Sequence, residues 1–357
     1  MTRSRNAGRG WRSGAGLVLT ASLTLLASTT AAASPAHART TGAAGTAQAE
    51  PLPAAGVRYL DDVFDEVEVT EDAPYREAVN VDGVLQTLHL DIYEPAGDTA
   101  ERRPVILMMH GGFFALGNHK ADQWGAGPSF AGAFARKGYV AVSMQYRLRP
   151  GMGLFPNVDL AELQAANLDA YDDSVAAVAW LVEHAEDLRI DPQAIVANGP
   201  SAGGTMAWHL AWMQGSRLRP EPSGVAAAVS VAGAPVEVSF ETGEPLAAAS
   251  PGDRPVIAFH GTADPIVPFN LAAAPCARAA DAGVRCDLVP YEGVGHPGVD
   301  PGFLELIGDI ERRTVEFIAD VVLVPLGYVD ELPIGPQRRP EVVAPAVPVV
   351  AGPTFTG

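Results

Sequence analysis

Residues 195–205 read IVANGPSAGGT, and the fold turns on whether Ser201 stands on a tight turn between a buried strand and a helix. Gly199-Pro200-Ser201-Ala202-Gly203 fits G-x-S-x-G, the pattern that pushes a serine hydroxyl into the open at such a junction. In a chain with 37 glycines three fixed positions are weak evidence, so the flanks decide. Upstream, AIVANG is a short β-rich run; downstream, AGGTMAWHLAWM is a good helix start. Gly199, Gly203 and Gly204 supply the missing side chains that a crowded turn requires. The hydroxyl then lies over a helix N-terminus, whose free N–H groups and positive dipole end favour developing negative charge.

Outward from that turn the chain alternates. Before it come strand PVILMMHG, a helical stretch near PSFAGAFARKG, strand YVAVSMQYR and helix LDAYDDSVAAVAWLVEHAEDL. After it come strands GVAAAVSVAG and PVIAFHG, helix NLAAAPCARAADAG, strand CDLVPYEG and helix GFLELIGDIERRTVEFIADVV. Short apolar runs alternating with helical patterns predict an α/β fold, a mostly parallel central sheet with helices on both faces. Ahead of this series, GVRYLDDVFDEVEV and LQTLHLDIYEP are β-rich and linked by a turn at Asn80-Val81-Asp82-Gly83, so they are expected as antiparallel strands at a sheet edge. One domain over 56–325 accounts for all of it. Two loop-rich excursions, 146–169 and 235–254, are expected to wall a cleft or form a small lid. The proline-rich 326–357 has no apolar period and reads as an extended tail.

The 357 residues are 48% hydrophobic and 18% charged, a balance able to bury a core. A formal charge of −18 opposes binding to nucleic acid or to an anionic membrane surface, because both repel the chain at long range. At the start, Arg3, Arg5, Arg9 and Arg12 precede the apolar run AGLVLTASLTLLAS and small-residue sites at Ala31-Ala32-Ala33 and Ala36-His37-Ala38. That order is a secretory signal peptide over 1–38, followed by a flexible spacer over 39–55. The expectation is a secreted, extracellular protein without stable membrane insertion after cleavage. In such a compartment the two cysteines, Cys276 and Cys286, are expected to form a disulfide joining a helix to the next strand, with two buried free thiols as the alternative.

A serine hydroxyl is a poor nucleophile until a base takes its proton, and the base needs a carboxylate to orient it. Only His260 and His296 follow the Ser201 helix. His260 ends the apolar strand of AFHGTAD, with Asp264 in the loop just beyond; His296, in YEGVGHPG, follows the last strand in a glycine-rich loop. Ser201, Asp264 and His296 thus occur in the chain order expected for a serine hydrolase on this kind of sheet, each at or just after the carboxyl end of a strand. His110-Gly111-Gly112, in MMHGGFFALGN, matches a loop whose backbone N–H groups bind an oxyanion. Gly112, Phe113 and Ala202 are the expected donors, with Gly111 as the alternative. Phe113, Phe114, Trp124 and Phe155 are candidates to line an acyl pocket, with burial in the core as the alternative for aromatics near a strand end. His119, His184 and His209 show no metal-ligand spacing, and the chain has no H-E-x-x-H, phosphate loop or dinucleotide fingerprint, so no cofactor is expected.

The ordered set HLDIYEP, VILMMHGGFF, SMQYRL, GPSAGG, HGTADPIVPF and GVGH resembles the α/β-hydrolase fold carboxylesterases and lipases, especially secreted bacterial esterases related to acetylxylan and feruloyl esterases, over about 85–310. The resemblance implies Asp264 as the acid and His296 as the base of a Ser-His-Asp triad that cleaves small-molecule or polymer-linked esters through an acyl-enzyme. It departs at Phe113-Phe114, where many relatives carry a third glycine and an aromatic. The alternatives are a polyester depolymerase, a lipase or a serine peptidase using the same residues, and a catalytically silent binding protein on the same fold.

Overall fold

The short apolar runs become strands: β1 (Val67–Val79), β2 (Leu85–Pro95), β3 (Val105–Met109), β4 (Val140–Met144), β5 (Ile195–Pro200), β6 (Ala227–Val231), β7 (Val256–Gly261) and β8 (Cys286–Tyr291). Between them lie helices α1 (Ser129–Arg136), α2 (Leu160–Glu183), α3 (Ala202–Trp212), α4 (Asn270–Ala279) and α5 (Ile307–Ile318). This computed structural model describes residues 56–120, 129–151, 159–212, 223–235 and 249–330; all of them fall within the compact unit Pro51–Gly357. The expected signal segment, the spacer, the chain after 330, Trp124, Phe155 and most of the second excursion lie outside the described residues.

The strands pair into one sheet in the order β1-β2-β4-β3-β5-β6-β7-β8. β1 and β2 pair antiparallel, as do β2 and β4, and every pairing from β4 through β8 is parallel. Alternate residues of a strand face opposite sides, and the core follows that rule. Val105, Leu107 and Met109 join one cluster with Ala166, Trp208 and Ala272 from α2, α3 and α4. Ile106 joins the other with Phe134 and Phe317 from α1 and α5. Helices therefore cover both faces, as the alternation predicted.

Three expected boundaries are corrected. β1 begins at Val67, not near Gly56; the acidic pair Asp61-Asp62 breaks the alternation, and residues before it bond to the end of α1 instead, with Tyr59 N–H donating to the Lys137 carbonyl at 2.7 Å. α2 begins at Leu160, inside the stretch expected to be loop, because the Asp159 carboxylate accepts from the N–H groups of Ala161 and Glu162 at 2.9 and 3.2 Å and good helix formers follow. The domain runs past 325: Leu326 and Tyr328 pack on the core, and the Tyr328 hydroxyl donates to Asp191 at 2.9 Å. The turn at Asn80–Gly83 and the helix-to-strand disulfide, Cys276 in α4 to Cys286 at the start of β8, are as expected.

Candidate active site

Ser201 follows the last residue of β5 and precedes the first of α3, with φ at +52°. Non-glycine residues avoid this left-handed region, and holding one there costs on the order of 1–3 kcal/mol. The surroundings over-determine it. The Ser201 N–H donates to the Val231 carbonyl at 2.8 Å, and its own carbonyl accepts from Thr205 N–H at 2.9 Å. Glycine is required where α3 crosses β3: a Cβ on Gly203 would lie 2.0 Å from the Met109 carbonyl oxygen, and one on Gly199 would lie 2.5 Å from the same atom.

The chain brings the three sequence-selected side chains into one hydrogen-bonded line. His296 Nδ1 lies 2.7 Å from Asp264 Oδ2, and His296 Nε2 lies 2.9 Å from Ser201 Oγ. Because a carboxylate accepts, Nδ1–H is the donor, which leaves the Nε2 lone pair facing the serine hydroxyl. Each partner is itself fixed. Asp264 Oδ1 accepts from the N–H groups of Ile266 and Val267 at 2.8 and 2.9 Å, turning Oδ2 toward the imidazole. The His296 loop is pinned by Asp300, whose carboxylate accepts from Gly295 and Gly302 N–H at 2.6 and 2.9 Å; these bonds hold its pKa below the usual carboxylate value. His260, the other histidine after α3, lies behind Asp264 and donates from Nε2 to the Val267 carbonyl at 2.8 Å. Its burial lowers its pKa, so it stands as a neutral prop for that loop.

Above this line opens a cavity of about 480 Å³. Ser201 and His296 lie in its floor, Gly111, Gly112 and Phe113 border it on one side, and Pro265, Ile266 and Val299 on another. Among the described residues its walls are apolar. Ala202, the first residue of α3, carries one of the N–H groups that have no acceptor within a helix. Phe113 and Phe114 are both left-handed, at φ +56° each, after Gly112 at φ +106°. The two aromatics part there: Phe113 borders the cavity, whereas Phe114 is buried in the core against Tyr146 and is not a pocket wall.

Of the remaining histidines, His184 caps α2 against the Trp180 carbonyl and His209 is buried inside α3. His119 has neighbours that its spacing did not reveal. Its Nε2 lies 2.7 Å from Asp72 Oδ1, with Asp91 next to it; the irregular pairing of β1 and β2 brings the two aspartates together, and His119 reaches them from the segment after β3. The Lys120 ammonium lies among them, 2.9 Å from Asp91, 3.2 Å from Asp72 and 3.1 Å from Glu71, so the cluster already has its cation.

The fold and the Ser-His-Asp line define a hydrolase-type α/β protein, and comparison with known proteins narrows it. The BD-FAE family model matches residues 90–224. Esterase 2 of Thermogutta terrifontis, a solved structure, superposes with a TM-score of 0.54 at 31% identity, covering 74% of this chain and 95% of that one. Carboxylesterase 5A of Ovis aries is 32% identical over 117 residues, 32% of this chain and 28% of its own length. Lipase 2 of Moraxella sp. (strain TA144) is 32% identical over 133 residues, 36% of this chain and 26% of its own. The matched stretch thus spans less than a third of these two longer relatives. The chain belongs to the α/β-hydrolase carboxylesterase family.

Proposed function

We propose that the protein hydrolyses carboxylic esters through an acyl-enzyme on Ser201. The observation that carries this reading is the unbroken line from Asp264 through His296 to Ser201 at the floor of an open cavity. Ser201 Oγ adds to the ester carbonyl carbon while His296 Nε2 takes the hydroxyl proton. The carbonyl oxygen becomes an oxyanion held by N–H groups of Gly112, Phe113 and Ala202. Collapse expels the alcohol, which leaves with the proton from His296 Nε2. Water then attacks the acyl carbon by the same route, releasing the acid and restoring Ser201. Asp264 keeps the imidazole in the tautomer that accepts at Nε2 and stabilises the imidazolium as it forms.

The related esterase has been solved phosphorylated by paraoxon and with propionate or butyrate bound, which supports a reactive serine and small acyl groups for this chain. The test is the Ser201-dependent rate on p-nitrophenyl esters from acetyl to palmitoyl, with paraoxon treatment and intact-mass analysis alongside. Expected are fastest turnover on the short esters and one diethylphosphoryl adduct per chain that Ser201→Ala abolishes. Ester turnover that survives Ser201→Ala would overturn the mechanism, and Ser201-dependent cleavage of peptides without cleavage of esters would make it a peptidase.

The reading also takes residues 1–38 as an export signal. It is supported by the arginine-led apolar start and by the Cys276–Cys286 bond, which suits an oxidising compartment. N-terminal sequencing of the protein recovered from culture medium tests it. A start at Ser34 or Arg39 is expected, and retention of Met1 on a cell-bound protein would refute it.

A further inference from the structure

We infer that Tyr146 is a positioning residue for the oxyanion loop: its buried hydroxyl grips the loop's carbonyls from behind and so sets the direction of the N–H groups that face the reacting oxygen. The inference rests on the ester-hydrolysis reading above.

Tyr146 follows β4 and is 1% exposed. Its ring stacks on that of His110, with centroids 4.1 Å apart and planes 13° from parallel. Its hydroxyl reaches two successive carbonyls, His110 O at 2.8 Å and Gly111 O at 3.3 Å. The His110 ring adds a second hold, donating from Nδ1 to the Gly111 carbonyl at 2.7 Å. One residue on, the Gly112 carbonyl accepts from Ala115 and Leu116 N–H, both at 3.0 Å. The loop is fastened again at Phe114, whose carbonyl accepts from Arg149 N–H at 2.9 Å, three residues after Tyr146.

In a planar trans peptide the carbonyl of one residue and the N–H of the next point in opposite directions. Holding the carbonyls of His110, Gly111 and Gly112 therefore aims the N–H groups of Gly111, Gly112 and Phe113 away from those partners. These are the three residues of the loop's first turn that border the cavity over Ser201. The left-handed conformations of Phe113 and Phe114 are intrinsically unfavourable for residues that carry a Cβ, so a loop without this grip has easier conformations to relax into. Burial keeps both donors in place: it raises the Tyr146 pKa and lowers that of His110 to about 4, leaving a protonated hydroxyl and a neutral imidazole.

Tyr146→Phe keeps the ring, the stack and the packing and removes only the hydroxyl. An oxyanion donor acts where charge develops, so kcat falls, by roughly 10- to 100-fold, and KM stays within about twofold. The decisive readout is a pair of inhibitors built on one acyl chain. A trifluoromethyl ketone adds Ser201 Oγ to its carbonyl carbon, the serine proton passing to His296, and leaves a charged oxygen in the hole. Its Ki is expected to rise by the same factor as kcat falls, while the Ki of the parent methyl ketone, bound as the neutral ketone, does not change. A purely structural role would weaken both inhibitors together. Tyr146→Phe with kcat and both Ki values within twofold of wild type overturns the inference, as does an equal rise in both Ki values. If Tyr146→Phe does not melt cooperatively, His110→Phe, which keeps a stacked ring and removes the other donor, is held to the same split. Ser201→Ala separates the two levels: ester turnover that survives it removes the underlying reading, whereas turnover that it abolishes, beside a wild-type Tyr146→Phe, removes this inference alone.

Discussion

Two cavities of nearly equal size open at opposite edges of the same sheet. One, about 480 Å³, lies at the carboxyl ends of the strands over Ser201 and His296. The other, about 460 Å³, lies at the amino ends of β5, β6 and β7, between Pro192, Gly224, Arg254, Val322 and Leu326. Volume does not distinguish them. At the carboxyl edge α3 presents its N-terminus, with unpaired N–H groups and the positive end of its dipole. At the amino edge α5 and the π-helical turn Ala319–Leu323 arrive with their C-terminal carbonyls, a poor setting for an oxyanion. Among the described residues, only the first holds the hydrogen-bonded line from Asp264 through His296 to Ser201. A parallel sheet thus has one edge suited to stabilising negative charge, and this chain has placed its strained serine there.

The sharpest way to break this contrast is to disable each cavity in turn. Ser201→Ala should lower kcat on short esters by at least about 10⁴-fold without changing the melting curve, whereas Arg254→Ala should leave kcat within twofold. Asp264→Asn, which deprives His296 of the acceptor that fixes its tautomer, should cost about 10³- to 10⁴-fold in kcat at neutral pH. The next effects are on stability. Reducing the Cys276–Cys286 bond, which closes a separation of 10 residues, should cost roughly 2–3 kcal/mol, read by denaturation with and without reductant, and should leave Ser201-dependent turnover of the folded protein in place. Gly203→Ala, whose Cβ has no room beside the Met109 carbonyl, should cost about 1–3 kcal/mol, whereas Gly308→Ala in α5, where a Cβ meets nothing within 4 Å, should be neutral or stabilising.

A further expected effect is a slope with pH. Burial lowers the imidazole pKa of His110 to about 4 and that of His209 to about 3, against an unfolded value near 6.5. With folded values depressed, both rings stay neutral in the native state while the unfolded chain takes up protons first. Stability is therefore intact above about pH 6.5 and is lost as pH falls below it, by at most roughly 1.4 kcal/mol per unit for each histidine. Melting temperature followed from pH 7 to pH 5 should fall, and His209→Leu should flatten the fall.

The contrast between the edges also marks what the sequence made legible. Ser201, Asp264 and His296 could be placed because each stands beside a short apolar run with glycine-rich punctuation, and a parallel sheet puts the ends of such runs on one edge. The start of α2 was missed because Asp159 caps it from within a segment rich in loop-forming residues. Two further sets depend on contacts that no local pattern carries. Asp72 and Asp91 meet through an irregular strand pairing and are joined by His119 and Lys120 from the segment after β3, and Tyr146 reaches His110 across neighbouring strands. The signal in the sequence for Tyr146 was only a tyrosine after an apolar strand, and nothing there distinguishes a core aromatic from one that holds a loop.

The sheet's two outer strands bear on a different hazard. An open edge offers unpaired amides and carbonyls as a template on which another chain can add a strand and begin to aggregate. β1 carries Glu68, Glu71, Asp72 and Glu77, and its pairing with β2 shifts register twice, around Pro74. β8, at the far side, has Pro290 within it and is stapled at Cys286 to α4. Proline has no N–H to donate and repeated acidic groups repel one another. An incoming strand therefore meets a break in the hydrogen-bonding row at either margin, which protects the folded chain from templated association at high concentration.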